Sequence, residues 1–304
     1  MIPARNEASN LPNLIPALVS QGISVTVLDD NSDDGTAETA RSLGAKVIES
    51  KVEPPEGWTG KNYACHRLAA TSSSEWVVFL DADTTPLPGF GAKLSNWLKS
   101  TNASVVTGFA EMAPGRGLEP LYLGWVPWIL LATNPFGLVT ATGKGHNQFT
   151  NGQFSVWKRA TLLEVEPYSK MRSEILEDVK IGRWLAKNKV KVDTLNVSEI
   201  LRVRMYADLG EAWRGMSKNS AEIAGSSVGS VVLALFLLFA AWAWAFTNPW
   251  LVVTLIAGKF ITDRIVRQPL WTFLFAPLTI TFAAATILAS CFKKAKTWKG
   301  RTYA

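Results

Sequence analysis

The sequence predicts an α/β domain, a mostly parallel sheet flanked by helices, joined to C-terminal transmembrane helices. Three observations predict it. Short apolar runs alternate with helical patterns across residues 1–222, which implies parallel strands with crossover helices. Two of those runs end in paired acidic residues. Beyond residue 222, long stretches carry no charge at all.

The chain has 304 residues, room for one domain of about 200 residues and an appendage. Hydrophobic residues make up 48% and charged residues 18%. Cys65 and Cys291 are the two cysteines, too few for a disulfide framework or a cysteine-based zinc site, and they fit a reducing compartment. The net charge of +6 is concentrated beside the apolar stretches. Arg202, Arg204, Arg214 and Lys218 precede them, and Lys293, Lys294, Lys296, Lys299 and Arg301 follow. That placement favours a membrane partner over nucleic acid, for which no module is present. Arg5, Asn6 and Glu7 interrupt the first apolar run, so no cleavable signal peptide is expected.

In chain order, Met1–Arg5 reads as the tail of a strand whose first residues are missing. Ser24–Leu28 is β-rich and ends in Asp29-Asp30, followed by the turn Asn31–Thr36. A helix over Thr36–Leu43, a strand over Ala45–Glu49 and a helix over Asn62–Ala70 come next. The strand Trp76–Leu80 then delivers Asp81-Ala82-Asp83 at its carboxyl end, where such sheets collect ligands. Ser173–Lys187 has a helical pattern and carries Glu177-Asp178.

Carboxylates at i and i+2, as at Asp81 and Asp83, can converge on a hard cation, Mg²⁺ or Mn²⁺, whose shell water and phosphate oxygens complete. Such an ion neutralises a diphosphate leaving group. Gly57-Trp58-Thr59-Gly60-Lys61-Asn62 lets backbone N–H groups approach phosphate, with Lys61 as a point charge; a simple turn fits equally well. Asn151-Gly152-Gln153 follows the glycine-rich Thr142–His146, where His146 is a further candidate ligand.

Pro3-Ala4-Arg5-Asn6-Glu7, Leu28–Thr36, Asp81-Ala82-Asp83 and Glu177-Asp178 together resemble the inverting family 2 glycosyltransferases of the GT-A fold, over roughly residues 1–220. The resemblance implies that Pro3, Ala4, Arg5 and Glu7 contact the nucleotide and that Asp30, beside Asp29, accepts from the uracil imide. It implies Asp83 and Asp81 as the metal motif, Lys61 near the donor and Asp178 as catalytic base. Gln153 would face sugar hydroxyls. Arg204 and Glu211–Arg214 take the place of a Gln/Arg-x-x-Arg-Trp motif but read Trp-Arg, which counts against a processive synthase; Arg214 remains a candidate for the leaving diphosphate. From the Trp58–Lys61 segment to Thr297–Tyr303, the chain is similar to bacterial hopanoid-associated and carotenoid-ester glycosyltransferases, which implies UDP-glucose and a lipid acceptor.

The charge-free stretches 223–258 and 268–292 are each long enough to span a bilayer, broken by Asn248-Pro249, with Trp242, Trp244, Trp250, Trp271 and Trp298 near their ends. Three divisions are expected: a catalytic domain over 1–222, a membrane region over 223–292 with two spans and a short third stretch at Trp250–Gly258, and a basic tail over 293–304. The basic flanks place the catalytic domain on the cytoplasmic face of the plasma membrane. Leu118–Val139, rich in Trp and aliphatics, is either core or an apolar acceptor surface. Two other readings stay open: a polyprenyl-phosphate sugar synthase, and a membrane-tethered protein that binds nucleotide-sugar without turnover.

Overall fold

The computed structural model describes residues 1–113, 115–133, 150–220, 226–292, 296–298 and 301–303. His146 and its glycine-rich neighbours lie outside the described residues. The chain divides into two compact units, Met1–Glu111 with Asn134–Val203, and Met112–Thr133 with Arg204–Ala304. The division falls near Val203 rather than at residue 222, and the apolar segment 112–133 groups with the C-terminal helices.

In the first unit, β1 (Ile2–Ala4), β2 (Thr26–Asp30) and β3 (Lys46–Ser50) form a parallel sheet in that order. The amide of Leu80 donates to Met1 O at 3.1 Å, which brings β4 (Trp76–Leu80) alongside β1. A second sheet runs β4-β8-β6-β9, with β6 at Val105–Phe109, β8 at Phe154–Lys158 and β9 at Val192–Asn196. Here the expectation of a mostly parallel sheet needs adjusting. β8 runs antiparallel to both β4 and β6, while β6 and β9 are parallel. A small third sheet joins β5 (Thr84–Pro86), β10 (Leu201–Val203) and β7 (Glu111–Met112).

Helices α1 (Leu11–Val19), α2 (Thr36–Ser42), α3 (Gly60–Ala70) and α4 (Phe90–Ser100) belong to this unit. Local features start two of them. Thr59 caps α3 by accepting from the Asn62 amide at 3.3 Å, and Gly35 takes φ 84° to start α2, a conformation suited to glycine. α3 sends Ala64, Cys65 and Leu68 into a core with Leu28, Phe79, Trp157, Tyr168 and Ile181. That core fixes the helix start, and with it Lys61, beside the ends of β1 and β4. The helix Glu177–Lys187 packs Ile181 and Leu185 into the same core, which leaves its first turn at the sheet's ligand edge.

In the second unit, α5 (Glu119–Leu123) and α6 (Trp125–Thr133) precede the helices Leu209–Asn219, Ser227–Thr247, Pro249–Ile265 and Ala276–Cys291. Leu121, Tyr122 and Trp125 are buried; the Tyr122 and Thr286 hydroxyls lie 3.0 Å apart and Thr279 donates to Leu121 O at 3.3 Å. The part of Leu118–Val139 that is described therefore packs largely as core, not as an open acceptor surface. Among the described residues, one helical stretch, Leu270–Cys291, is long and apolar enough to cross a membrane, and the Ser227–Trp242 part of the helix Ser227–Thr247 is a shorter apolar segment. The short third stretch expected at Trp250–Gly258 is instead the first half of the helix Pro249–Ile265. The helix continues through charge because Lys259 and Asp263, four residues apart and fully buried, pair with each other, and Thr272 donates to Asp263 at 2.7 Å.

Candidate active site

Two loops meet at the carboxyl ends of β1 and β2. The Arg5 guanidinium donates to Asp30 O at 2.7 Å and to Asn31 O at 3.3 Å. The Asn6 amide donates to the Ser32 hydroxyl at 3.0 Å, and the Glu7 amide to Thr36 Oγ1 at 2.9 Å. Asn6 and Asn31 both take φ 55°, within reach of asparagine, so the two loops turn sharply against each other. Asp29 and Asp30 are buried at their base, and burial raises the Asp29 pKa although Ser32 donates to it. Pro3, Ala4, Arg5, Glu7, Asp29 and Asp30 thus lie along one stitched edge.

Across β1, Lys61 joins two acidic segments. Its ammonium lies 2.9 Å from Asp81 Oδ2 and 3.1 Å from Glu177 Oε1. Burial alone would pull the Lys61 pKa down, but Asp81 and then Glu177 hold it well above its usual value. Glu177 is buried, and that pushes its carboxyl up to about 7 against the opposing effect of Lys61.

Asp178 sits at the N-terminus of the same helix. Its Oδ2 accepts from the Gly152 amide at 3.1 Å and its Oδ1 from the Val179 amide at 2.8 Å. Burial raises its pKa, opposed by Lys61 and those two amides. Thr150 completes the bracket, its hydroxyl donating to Asp178 O at 2.8 Å. Lys61, Asp81, Thr150, Gly152, Glu177, Asp178 and Pro3 share one cavity.

Gly152 brings its backbone against the Lys61, Glu177 and Asp178 side chains. A Cβ there would lie 2.8 Å from Lys61 Nζ, 3.3 Å from Glu177 Oε1 and 3.5 Å from Asp178 Oδ2. With no Cβ at this position, the Lys61 ammonium lies close against the backbone without having to shift. Gln153 contributes main-chain atoms: its O accepts from the Asp81 amide at 3.4 Å and its N donates to Asn151 Oδ1 at 3.0 Å. The signal for Gly152 was the small residue between Asn151 and Gln153.

Asp83 differs from its neighbours in having no partner for one oxygen. Its Oδ1 is shut off from solvent without a hydrogen bond, and burial, Asp81 and Glu7 raise its pKa. A divalent cation fits that orphaned carboxylate. No group of three or more His, Cys, Asp or Glu is arranged to hold a metal among the described residues, so phosphate or water would complete the shell. Arg214 lies in the second unit, on the helix Leu209–Asn219. Arg204 is also there, ion-paired at 2.8 Å with the buried Glu119.

Residues 1–147 match the profile of Glycosyl transferase family 2, and the chain carries a domain of that family. Among its relatives are two proteins named 4,4'-diaponeurosporenoate glycosyltransferase. The one from Staphylococcus aureus (strain USA300) is 36% identical over 252 residues, 78% of this chain and 64% of the relative. The one from Staphylococcus haemolyticus (strain JCSC1435) is 28% identical over 255 residues, again 78% and 64%. The chain therefore spans 64% of the length of these curated relatives. A mannosyltransferase from Pyrobaculum calidifontis, solved in complex with GDP-Man and Mn²⁺, superposes with a TM-score of 0.52 at 16% identity, covering 94% of this chain and 72% of that one. This likeness shows a shared GT-A-like α/β fold.

Proposed function

We propose that the chain is an inverting, metal-dependent hexosyltransferase that moves a sugar from a nucleotide-sugar, UDP-glucose, to a hydrophobic lipid acceptor at a membrane. The observation that carries this reading is the meeting of Lys61, Asp81, Glu177 and Asp178 around one cavity at the strand ends. The relatives' name supports a carotenoid-like acceptor.

Each residue has a physical task. Pro3, Ala4, Arg5, Glu7, Asp29 and Asp30 hold the nucleotide along the stitched loop edge. Asp83 and Asp81 would hold the cation, which supplies charge neutralisation of the departing diphosphate. Lys61 adds positive charge on the donor, and Gln153 lines the sugar pocket. Asp178 takes the acceptor's O–H proton as that oxygen bonds to the anomeric carbon and the carbon–phosphate oxygen bond breaks, its electrons leaving with UDP. Both Asp178 oxygens accept backbone N–H groups and still keep a lone pair for that proton. Glu177 lies beside the base, held by Lys61, while burial and the nearby Asp81 raise the affinity of Asp178 for a proton.

The apolar faces of the second unit support the membrane part of the reading. Val232 is 61% exposed, Phe239 60% and Trp250 76%, a band that water would not favour. We place the catalytic unit on the cytoplasmic face of the plasma membrane, with the C-terminal helices as anchors. The test is to incubate membranes carrying the chain with labelled UDP-glucose and Mn²⁺, then extract lipid. Label should enter the organic phase; label found only as free sugar would refute lipid transfer.

A further inference from the structure

We infer that Asn62 is a positioning residue for the Glu177-Asp178 carboxylates, clasping the turn that precedes them to the start of α3. The inference rests on the reading of those carboxylates given above. Asn62 is fully buried. Its side-chain amide nitrogen donates to Met171 O at 2.7 Å and to Glu174 O at 2.9 Å, with Arg172 O at 3.4 Å. The Thr59 amide adds a main-chain bond to Arg172 O at 2.7 Å. Both N–H groups of one amide are thus committed to carbonyls of a single irregular turn, residues 171–174.

The other half of the amide marks this as costly. Asn62 Oδ1 is buried and has no partner. An apolar side chain of the same size would carry no orphaned oxygen, so core packing alone disfavours asparagine here. What the amide contributes is direction. Lys61 reaches Asp81 and Glu177, and the next residue, Asn62, reaches the turn that leads into Glu177. One helix start therefore holds the carboxylate pair at two points, by charge at its side chain and by hydrogen bonds at its backbone approach. A base displaced by about 1 Å loses roughly a hundredfold in rate, so a clasp of this kind acts on turnover more than on donor binding.

The test compares Asn62→Leu with wild type in hydrogen–deuterium exchange and in UDP release from UDP-glucose with Mn²⁺. The amides of residues 171–180 should exchange about tenfold faster, because the turn has lost its anchor. The kcat for UDP release should fall about tenfold or more, while the Kd for UDP changes by less than about threefold. Leu68→Val loosens α3 packing but keeps the Asn62 hydrogen bonds to the turn, and should give no exchange gain confined to 171–180. Asn62→Ser keeps one donor; it should exchange at an intermediate rate and serves if the leucine variant does not fold. Unchanged exchange in 171–180, or a loss of UDP affinity as large as the loss of kcat, would overturn the clasp. Wild type without UDP release would instead sink the transferase reading, and the exchange comparison would still decide the clasp.

Discussion

Both units bury charged side chains, and they treat them differently. In the second unit, Lys259 pairs with Asp263, both fully buried, and Arg204 pairs with Glu119. Each of those carboxylates has a cation of its own. In the first unit, Lys61 divides itself between Asp81 and Glu177, Asp83 keeps an oxygen without a partner, and Asp178 leans on backbone amides. A balanced buried pair is complete as folded, and its gain barely offsets desolvation. An excess of half-neutralised carboxylate costs stability and is tolerated where positive charge arrives from outside. The difference separates a structural use of charge from a functional one.

The sharpest way to break that contrast is Asp178→Asn. For an acceptor hydroxyl, the rate should fall by about 10²–10⁴ while UDP binding is kept. A carboxylic acid acceptor is already ionised at neutral pH, leaving no proton for the base to take, and should lose far less. Initial rates with a lipid alcohol and a lipid carboxylate would distinguish the two. Equal, small losses with both would remove Asp178 from the chemistry.

Next in size is Lys259→Met, which strands Asp263 in the second unit and should cost ~3–5 kcal/mol of unfolding free energy. Adding Asp263→Leu should recover most of that loss in denaturant unfolding in detergent. A single variant as stable as the double would mean the pair is not the balanced structure described here.

Acidification gives a smaller, graded effect. Burial pushes Glu177 up to about 7 and raises Asp178 as well. The ionised forms carry the activity, so kcat/KM should fall as pH drops through this region, by about tenfold per pH unit at the steepest. Lys61→Met removes the charge that favours ionisation and should move the limb to higher pH. A limb that stays in place would detach Lys61 from both carboxylates.

The mildest change is Gly152→Ala. Its Cβ would crowd the Lys61 ammonium at 2.8 Å, and because that ammonium can swing aside, the loss of rate should be about tenfold with stability little changed. A structure of the variant with Lys61 undisturbed would contradict the expectation.

Much of the first unit was legible because its signals are local. Trp76–Leu80 reads as a strand from its apolar run, and the acidic residues after it and after Leu28 mark the ligand edge. Non-local facts were not legible. The direction of β8 depends on pairing with β4 and β6, which no run of residues encodes. Lys259 looked like the end of an apolar stretch because its partner Asp263 could not be recognised as such before the helix was known. Leu118–Val139 has the composition of either a core or a surface, and only packing against Thr279 and Thr286 decides for core in the part described. Asn62 read only as the start of a helix after Gly60-Lys61, since the carbonyls of Met171 and Glu174 that its side chain reaches are far along the chain. The close approach at Gly152 was not legible either, since the Lys61 and Glu177 side chains it meets come from distant parts of the chain.

The unbalanced carboxylates of the first unit are tested most directly by titrating UDP into the chain with and without Mn²⁺, in wild type and in Asp83→Ala. The account predicts tight binding only with the cation in wild type, and no cation-dependent gain in the variant. UDP binding of equal strength with and without Mn²⁺ in wild type, or a gain that survives the loss of Asp83, would contradict it.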